Sequence, residues 1–243
     1  DKNLNETPEF STNQLFHLSF AIKSPSNVKN QAVPCTLCSV LNLKMKSLII
    51  FVALAISYAR ACTVTTVSGT SAPAAGSFCA GDLIFEDNFN SLDQSKWKHE
   101  VSLSGGGNWE FQWYVNDRFN SYTTGGVLHL RPTYTSTIFG ESFLTSGRVV
   151  IPPGECTQAD WYGCDRQGTN DNIINPIRSA RVDTRESFGF KYGTLEIRAK
   201  MPAGDWIWPA LWLMPKYSVY GGWPRSGEID LMEMRGNRNL FNG

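Results

Sequence analysis

Glu228, Asp230 and Glu233 are the residues of this chain best placed to do chemistry. They stand at positions 0, +2 and +5 of Ser226-Gly227-Glu228-Ile229-Asp230-Leu231-Met232-Glu233-Met234-Arg235-Gly236, an otherwise apolar, strand-like run. On a regular strand, residues two apart share a face. Glu228 and Asp230 therefore point together, and Glu233 points away. One extra residue at Leu231-Met232, a β-bulge, returns Glu233 to the carboxylate face. The two glutamates are then about four strand steps apart, roughly 13 Å between Cα atoms. Side chains that lean inward approach the roughly 5–5.5 Å carboxyl separation of a retaining glycosidase. Three carboxylates on an apolar strand are costly unless they face a cleft; the bland alternative is a solvated edge.

The elements that must position these groups read as strands. Residues 207–214 form the strand before the carboxylates, with Trp208 and Trp212 four apart on one face. Such a pair either packs in a core, the commoner fate of apolar rings, or forms a platform for a sugar. Trp223 lies in the loop that enters the carboxylate strand. Further strands are expected over 83–89, 109–114, 127–131, 178–184 and 192–200, where apolar and polar residues alternate between Gly, Pro and Asn turns. Residues 132–176 read as loop-rich. Many strands with no helical period argue an all-β sandwich. Gly105-Gly106-Gly107 is a turn, since the Gly-Lys-Ser/Thr of a phosphate loop is missing. His99 and His129 are lone histidines, expected to be structural.

Gly-Glu-Ile-Asp-x-x-Glu, preceded by Trp208-Pro209-Ala210-Leu211-Trp212-Leu213-Met214-Pro215, resembles the active-site region of glycoside hydrolase family 16. The run from Gly221-Gly222-Trp223-Pro224-Arg225-Ser226 to Arg235-Gly236-Asn237 is similar to its invertebrate branch of β-1,3-glucanases and glucan-recognition proteins. The resemblance begins near Cys79. It implies a concanavalin A-like β-jelly-roll sandwich, truncated at the C-terminus because the return strands are missing. It makes Glu228 the nucleophile and Glu233 the general acid/base; Asp230, between them, is placed to help hold the proton on Glu233 by its negative charge and to orient the nucleophile through a shared proton. Water then resolves the glycosyl-enzyme with retention. Substrate contacts are expected from Trp208, Trp212 and Trp223. Asn108 and Arg181 resemble cleft residues that bond glucose hydroxyls; turn capping for Asn108 and a surface ion pair for Arg181 are equally good readings.

The implied function is a secreted endo-β-1,3-glucanase acting on laminarin-like glucans. The alternative is a non-catalytic β-1,3-glucan-binding recognition protein of innate immunity. Retention of all three carboxylates favours the enzyme. The expected partner is β-1,3-glucan polysaccharide, bound by a monomer. With 22 basic and 22 acidic residues, nothing suggests electrostatic binding to nucleic acid or membrane. No cofactor is expected, although Glu86 and Asp87 could reach a structural calcium of the kind some relatives carry.

The front of the chain reads differently. Residues 45–61 combine a basic start, a roughly 10–12-residue apolar stretch and an Ala59-Arg60-Ala61 end, the pattern of a secretory signal peptide. Residues 1–44 precede its Met45 and are expected to be disordered, upstream translation absent from the native protein. Residues 62–243 then form part of a single catalytic domain. Four cysteines remain there. Cys156 and Cys164 bracket a short loop suited to a local disulfide, and Cys62 with Cys79 would tie the mature N-terminus; four cysteines allow two other pairings.

Overall fold

The computed structural model describes residues 19–23, 67–69, 81–202 and 204–236. The signal segment 45–61, Cys62 and Cys79 lie outside these residues. The described chain is all-β. Its strands are Ser19–Lys23 (β1), Val67–Gly69 (β2), Leu83–Asp87 (β3), Lys98–His99 (β4), Gln112–Tyr114 (β5), Ser121–Thr124 (β6), Val127–Leu130 (β7) and Thr133–Tyr134 (β8). Two short helices follow, Ser136–Phe139 (α1) and Ser142–Ser146 (α2). Then come Arg148–Val150 (β9), Asp165–Gln167 (β10), Ile177–Ser179 (β11), Val182–Asp183 (β12), Phe188–Phe190 (β13), Thr194–Arg198 (β14), Ala210–Leu213 (β15) and Ile229–Glu233 (β16).

The strands pair in small ladders. β1 lies between β14 and β3, antiparallel to both, and β11 runs parallel to β5 and antiparallel to β8. Sequence reasoning set residues 1–44 aside as disordered, yet Ser19–Lys23 is the central strand of its ladder. Unpaired strand edges accept any extended segment that can complete the hydrogen bonds, and β3 and β14 both offer one.

Two apolar clusters hold the fold. In the first, Ile84, Phe85, Phe89, Trp97, Leu128 and Phe188 are buried, and Leu195, Ile197 and Leu211 pack against them. The alternation along β14 explains part of this: Leu195 and Ile197 turn inward while Thr194, Glu196 and Arg198 turn to solvent. Asp87 is buried beneath this cluster. Its Oδ1 accepts the Phe89 backbone N–H and its Oδ2 the Trp97 indole N–H, both at 2.8 Å. Its oxygens therefore serve protein donors. Among the described residues no group of His, Cys, Asp and Glu could hold a metal ion.

The second cluster, Leu103, Val149, Ile151 and Ile174, lies under the loop that Cys156 and Cys164 close. That disulfide is present, with Cα atoms 5.7 Å apart. Among the described residues no helix is long and apolar enough to cross a membrane.

Candidate functional site

β15 and β16 carry the carboxylates. Ala210 faces Glu233, Leu211 faces Met232, and then the register slips, so that Trp212 faces Asp230 and Leu213 faces Ile229. Leu231 is the extra residue, the bulge that the spacing requires. Directly opposed residues of an antiparallel pair share a face. Asp230 and Glu233 therefore stand on the side of Trp212 and Ala210. Glu228, two before Asp230, belongs to the same side, as does Trp208. The opposite side holds Leu211, which packs against the Phe85 cluster. One sheet face thus collects three carboxylates and two indoles, with the core behind it.

Both indoles are partly open to solvent: Trp208 is 38% and Trp212 37% exposed. Neither is a core residue. Trp223, in the preceding loop, is 70% exposed. Each glutamate is held by an indole N–H. Trp208 Nε1 donates to Glu233 Oε1 at 2.8 Å, and Trp223 Nε1 donates to Glu228 Oε2. These bonds orient the carboxylates and leave each with lone pairs for a ligand. Cations cover the rings. The Arg235 guanidinium lies 4.3 Å from the Trp208 ring centre, and that of Arg181 lies 4.5 Å from the Trp212 centre, both within stacking range.

Arg181 therefore belongs to the site, through a contact the sequence did not suggest. It also makes the ion pair offered as its plain reading: its Nη1 lies 2.9 Å from Glu100 Oε2. Glu100 is buried, and its backbone N–H bonds the Arg181 carbonyl at 3.0 Å. Sequence reasoning missed Glu100, because only the pairing of β4 with β12 brings positions so distant in the chain together. It also missed the stacking of Arg235. Tyr114 lies in the field of Arg181, Glu110 and Glu100, and burial is the main cause that pushes its hydroxyl pKa up, so the phenol stays protonated. Asn108 is apart from the strand pair's contacts. Its backbone N–H closes the turn on Gly105 O and its side chain donates to Glu110 Oε1 at 3.2 Å, which is the turn-capping reading.

This arrangement can hold a ligand with flat apolar faces and a rim of hydroxyls, since indoles offer the stacking surface and carboxylates accept the O–H bonds. It can also hold two carboxylates on either side of a bond between sugars.

Comparison with known proteins bears on the choice. The chain is similar to β-1,3-glucan-binding proteins. It is 54% identical over 160 residues to the β-1,3-glucan-binding protein of Penaeus monodon, covering 64% of this chain and 44% of that one. It is 34% identical over 163 residues to the β-1,3-glucan-binding protein of Tenebrio molitor, covering 67% and 34%. A bacterial protein, glucan endo-1,3-β-glucosidase A1 of Niallia circulans, is 34% identical over 165 residues, covering 64% and 20%. The chain thus spans less than half the length of each of these relatives. No family model and no solved structure matches it.

Proposed function

We propose that this chain binds β-1,3-glucan on the exposed face shared by Trp208, Trp212, Glu228, Asp230 and Glu233. The observation that carries the reading is the gathering of two half-open indoles and three carboxylates on one side of a strand pair whose other side meets the core. Indole rings suit the C–H faces of glucose, and carboxylates suit its hydroxyls. The names of the crustacean and insect relatives support glucan binding. They place binding ahead of hydrolysis, the reverse of the order suggested by the carboxylates alone. Titration of the full chain with laminarin tests the reading: saturable binding weakened by Trp208→Ala is expected, and no binding to laminarin overturns it.

Hydrolysis is the second reading, favoured by the retention of Glu228 and Glu233 on one bulged strand and by likeness to the bacterial glucosidase. In it the chain is a family 16 hydrolase. Glu228 attacks the anomeric carbon, Glu233 protonates the departing oxygen and then deprotonates water, and Asp230 orients Glu228. Reducing ends released from laminarin, and their loss in Glu228→Gln and Glu233→Gln with binding kept, are its signature. A wild-type chain that binds laminarin and releases no reducing ends excludes it. Under either reading the strands belong to a jelly roll, residues 62–243 are one domain's part, and a monomer is secreted after cleavage at Ala61.

A further inference from the structure

A second exposed aromatic surface is shared by the loop closed by Cys156 and Cys164 and the turn at residues 105–110 packed against it. Trp109 is 58% exposed, Trp161 48% and Tyr162 57%. All three have left-handed backbones, with φ of 57°, 52° and 62°. Such a conformation costs a non-glycine residue of order 1–3 kcal/mol and persists only where the surroundings over-determine it. Here they do. Leu103, fully buried, donates its N–H to Gly163 O at 2.8 Å, and Thr157 and Val101 exchange hydrogen bonds at 3.0 Å. A Cβ on Gly163 would lie 2.0 Å from the Gln158 carbonyl oxygen, so the loop closes too tightly for any side chain there. The disulfide locks both ends.

Buried Arg166 joins the two aromatic segments. Its Nη2 donates to the Trp161 carbonyl at 2.8 Å, its Nη1 donates to Asn175 Oδ1 at 2.6 Å, and its guanidinium lies 5.9 Å from the Trp109 ring centre. The Trp161 ring lies over Gly107, where an added Cβ would come within 3.2 Å of it. These contacts hold the backbone at the rings, and about half of each ring residue stays open to solvent.

The polar groups beside the rings identify the ligand class. Asn108 donates to Glu110 Oε1 and Gln112 to Glu110 Oε2, which leaves the Asn108 amide oxygen and the remaining carboxylate lone pairs for a ligand, and exposed Asp160 adds a second carboxylate next to Trp161 in the chain. Acidic neighbours repel phosphate and anionic lipid. Amides and carboxylates beside indoles suit a neutral polyhydroxyl chain. The surface is also tied to the carboxylate face, since the segment 100–103 holds the stapled loop at Leu103 and Arg181 at Glu100.

We propose that Trp109, Trp161 and Tyr162 form an accessory sugar platform that holds a further stretch of the same neutral β-glucan polymer. The proposal rests on the reading that the chain binds β-glucan at the carboxylate face. A platform outside that face adds affinity only for chains long enough to touch both, because the second contact is then intramolecular. The test titrates the full chain and its Trp109→Ala/Trp161→Ala variant with laminaritriose and with laminarin. The variant is expected to bind laminarin about 10-fold more weakly, and laminaritriose as the wild type does. Trp161→Phe, which keeps a flat ring, is expected to recover laminarin binding to within about 3-fold, and Tyr162→Ser to weaken it without change in melting temperature. Unchanged laminarin affinity in the double variant overturns the platform and leaves the carboxylate face standing. Equal weakening for both ligands also overturns it, since that marks a merely structural role. A wild-type chain that binds neither ligand overturns both readings.

Discussion

The stapled loop and the β15–β16 pair present aromatic rings to solvent by opposite means. On the strand pair, regular alternation does the work: Trp208 and Trp212 share a face because they are an even number of residues apart, and the ladder fixes that face relative to the Phe85 cluster. In the loop no periodicity exists. Left-handed residues, a glycine closed on a carbonyl, a buried arginine and a disulfide fix each ring separately. The difference shows that a ladder positions side chains through its register, whereas a loop must restrain its own backbone. Disruption should therefore act locally in the first case and cooperatively in the second.

The largest effect is expected at the strand pair. Trp208→Ala with Trp212→Ala removes the two stacking faces, each contributing about 1.5 kcal/mol to sugar binding by its buried apolar area. Laminarin affinity should fall about 100-fold while the melting temperature changes by less than about 3 °C, as checked by calorimetry. A large loss of stability would mean that these rings are packing residues.

Stapled-loop behaviour should be the reverse. Cys156→Ser with Cys164→Ser opens a closure of eight residues' separation, worth about 2.5 kcal/mol by chain entropy. The melting temperature should drop by roughly 5–10 °C. Hydrogen exchange should rise across residues 156–164 and leave β15–β16 protected as before. Equal deprotection of both regions would erase the distinction between them.

His99 lies on β4, just before the segment that joins the two regions. It is buried, with Nε2 2.8 Å from Ser121 Oγ. Burial first, and the Arg118 charge second, hold its pKa at about 4, below the ordinary 6.5. Between those values the unfolded chain binds the proton and the folded chain does not, so this stability is complete above about pH 6.5 and is lost as pH falls toward 4. The expected loss is about 1–2 kcal/mol after allowance for solvent screening. Melting curves from pH 7 to 4 should flatten in His99→Asn; an unchanged slope rejects the assignment.

Arg181→Lys should give the smallest change. Lysine keeps the charge facing Glu100 but loses the planar stack on Trp212. A threefold loss of laminarin affinity is expected, about 0.7 kcal/mol, and an equal loss in Arg181→Ala would assign the whole effect to stacking.

The strand pair was also the more legible region. Alternation and the +5 spacing located Glu228, Asp230, Glu233 and the bulge, because those are properties of consecutive residues. The expected strand over 109–114 shortened to Gln112–Tyr114, since Trp109 adopts a left-handed backbone that no pattern of residue types announces. The loop-rich reading of 132–176 missed α1 and α2, of four and five residues and so too short to show a helical period, and the two- and three-residue strands β8, β9 and β10. Glu100 was invisible for a different reason: its role depends on a partner far along the chain. Cys156 and Cys164 were readable because closure of a short loop is local.

An alternating strand keeps a running parity, and β16 changes parity once, at Leu231. Point substitutions leave that parity intact whatever side chain they introduce. Gain of one residue with the bulge kept reverses it, turning Glu233 toward the side of Leu211, whereas loss of Leu231 itself removes the bulge and leaves Glu233, now an even number of residues from Glu228, on the carboxylate face. The carboxylate face can thus be rewritten one side chain at a time, but its residue count and its bulge form one unit: the count can change only if the bulge changes with it.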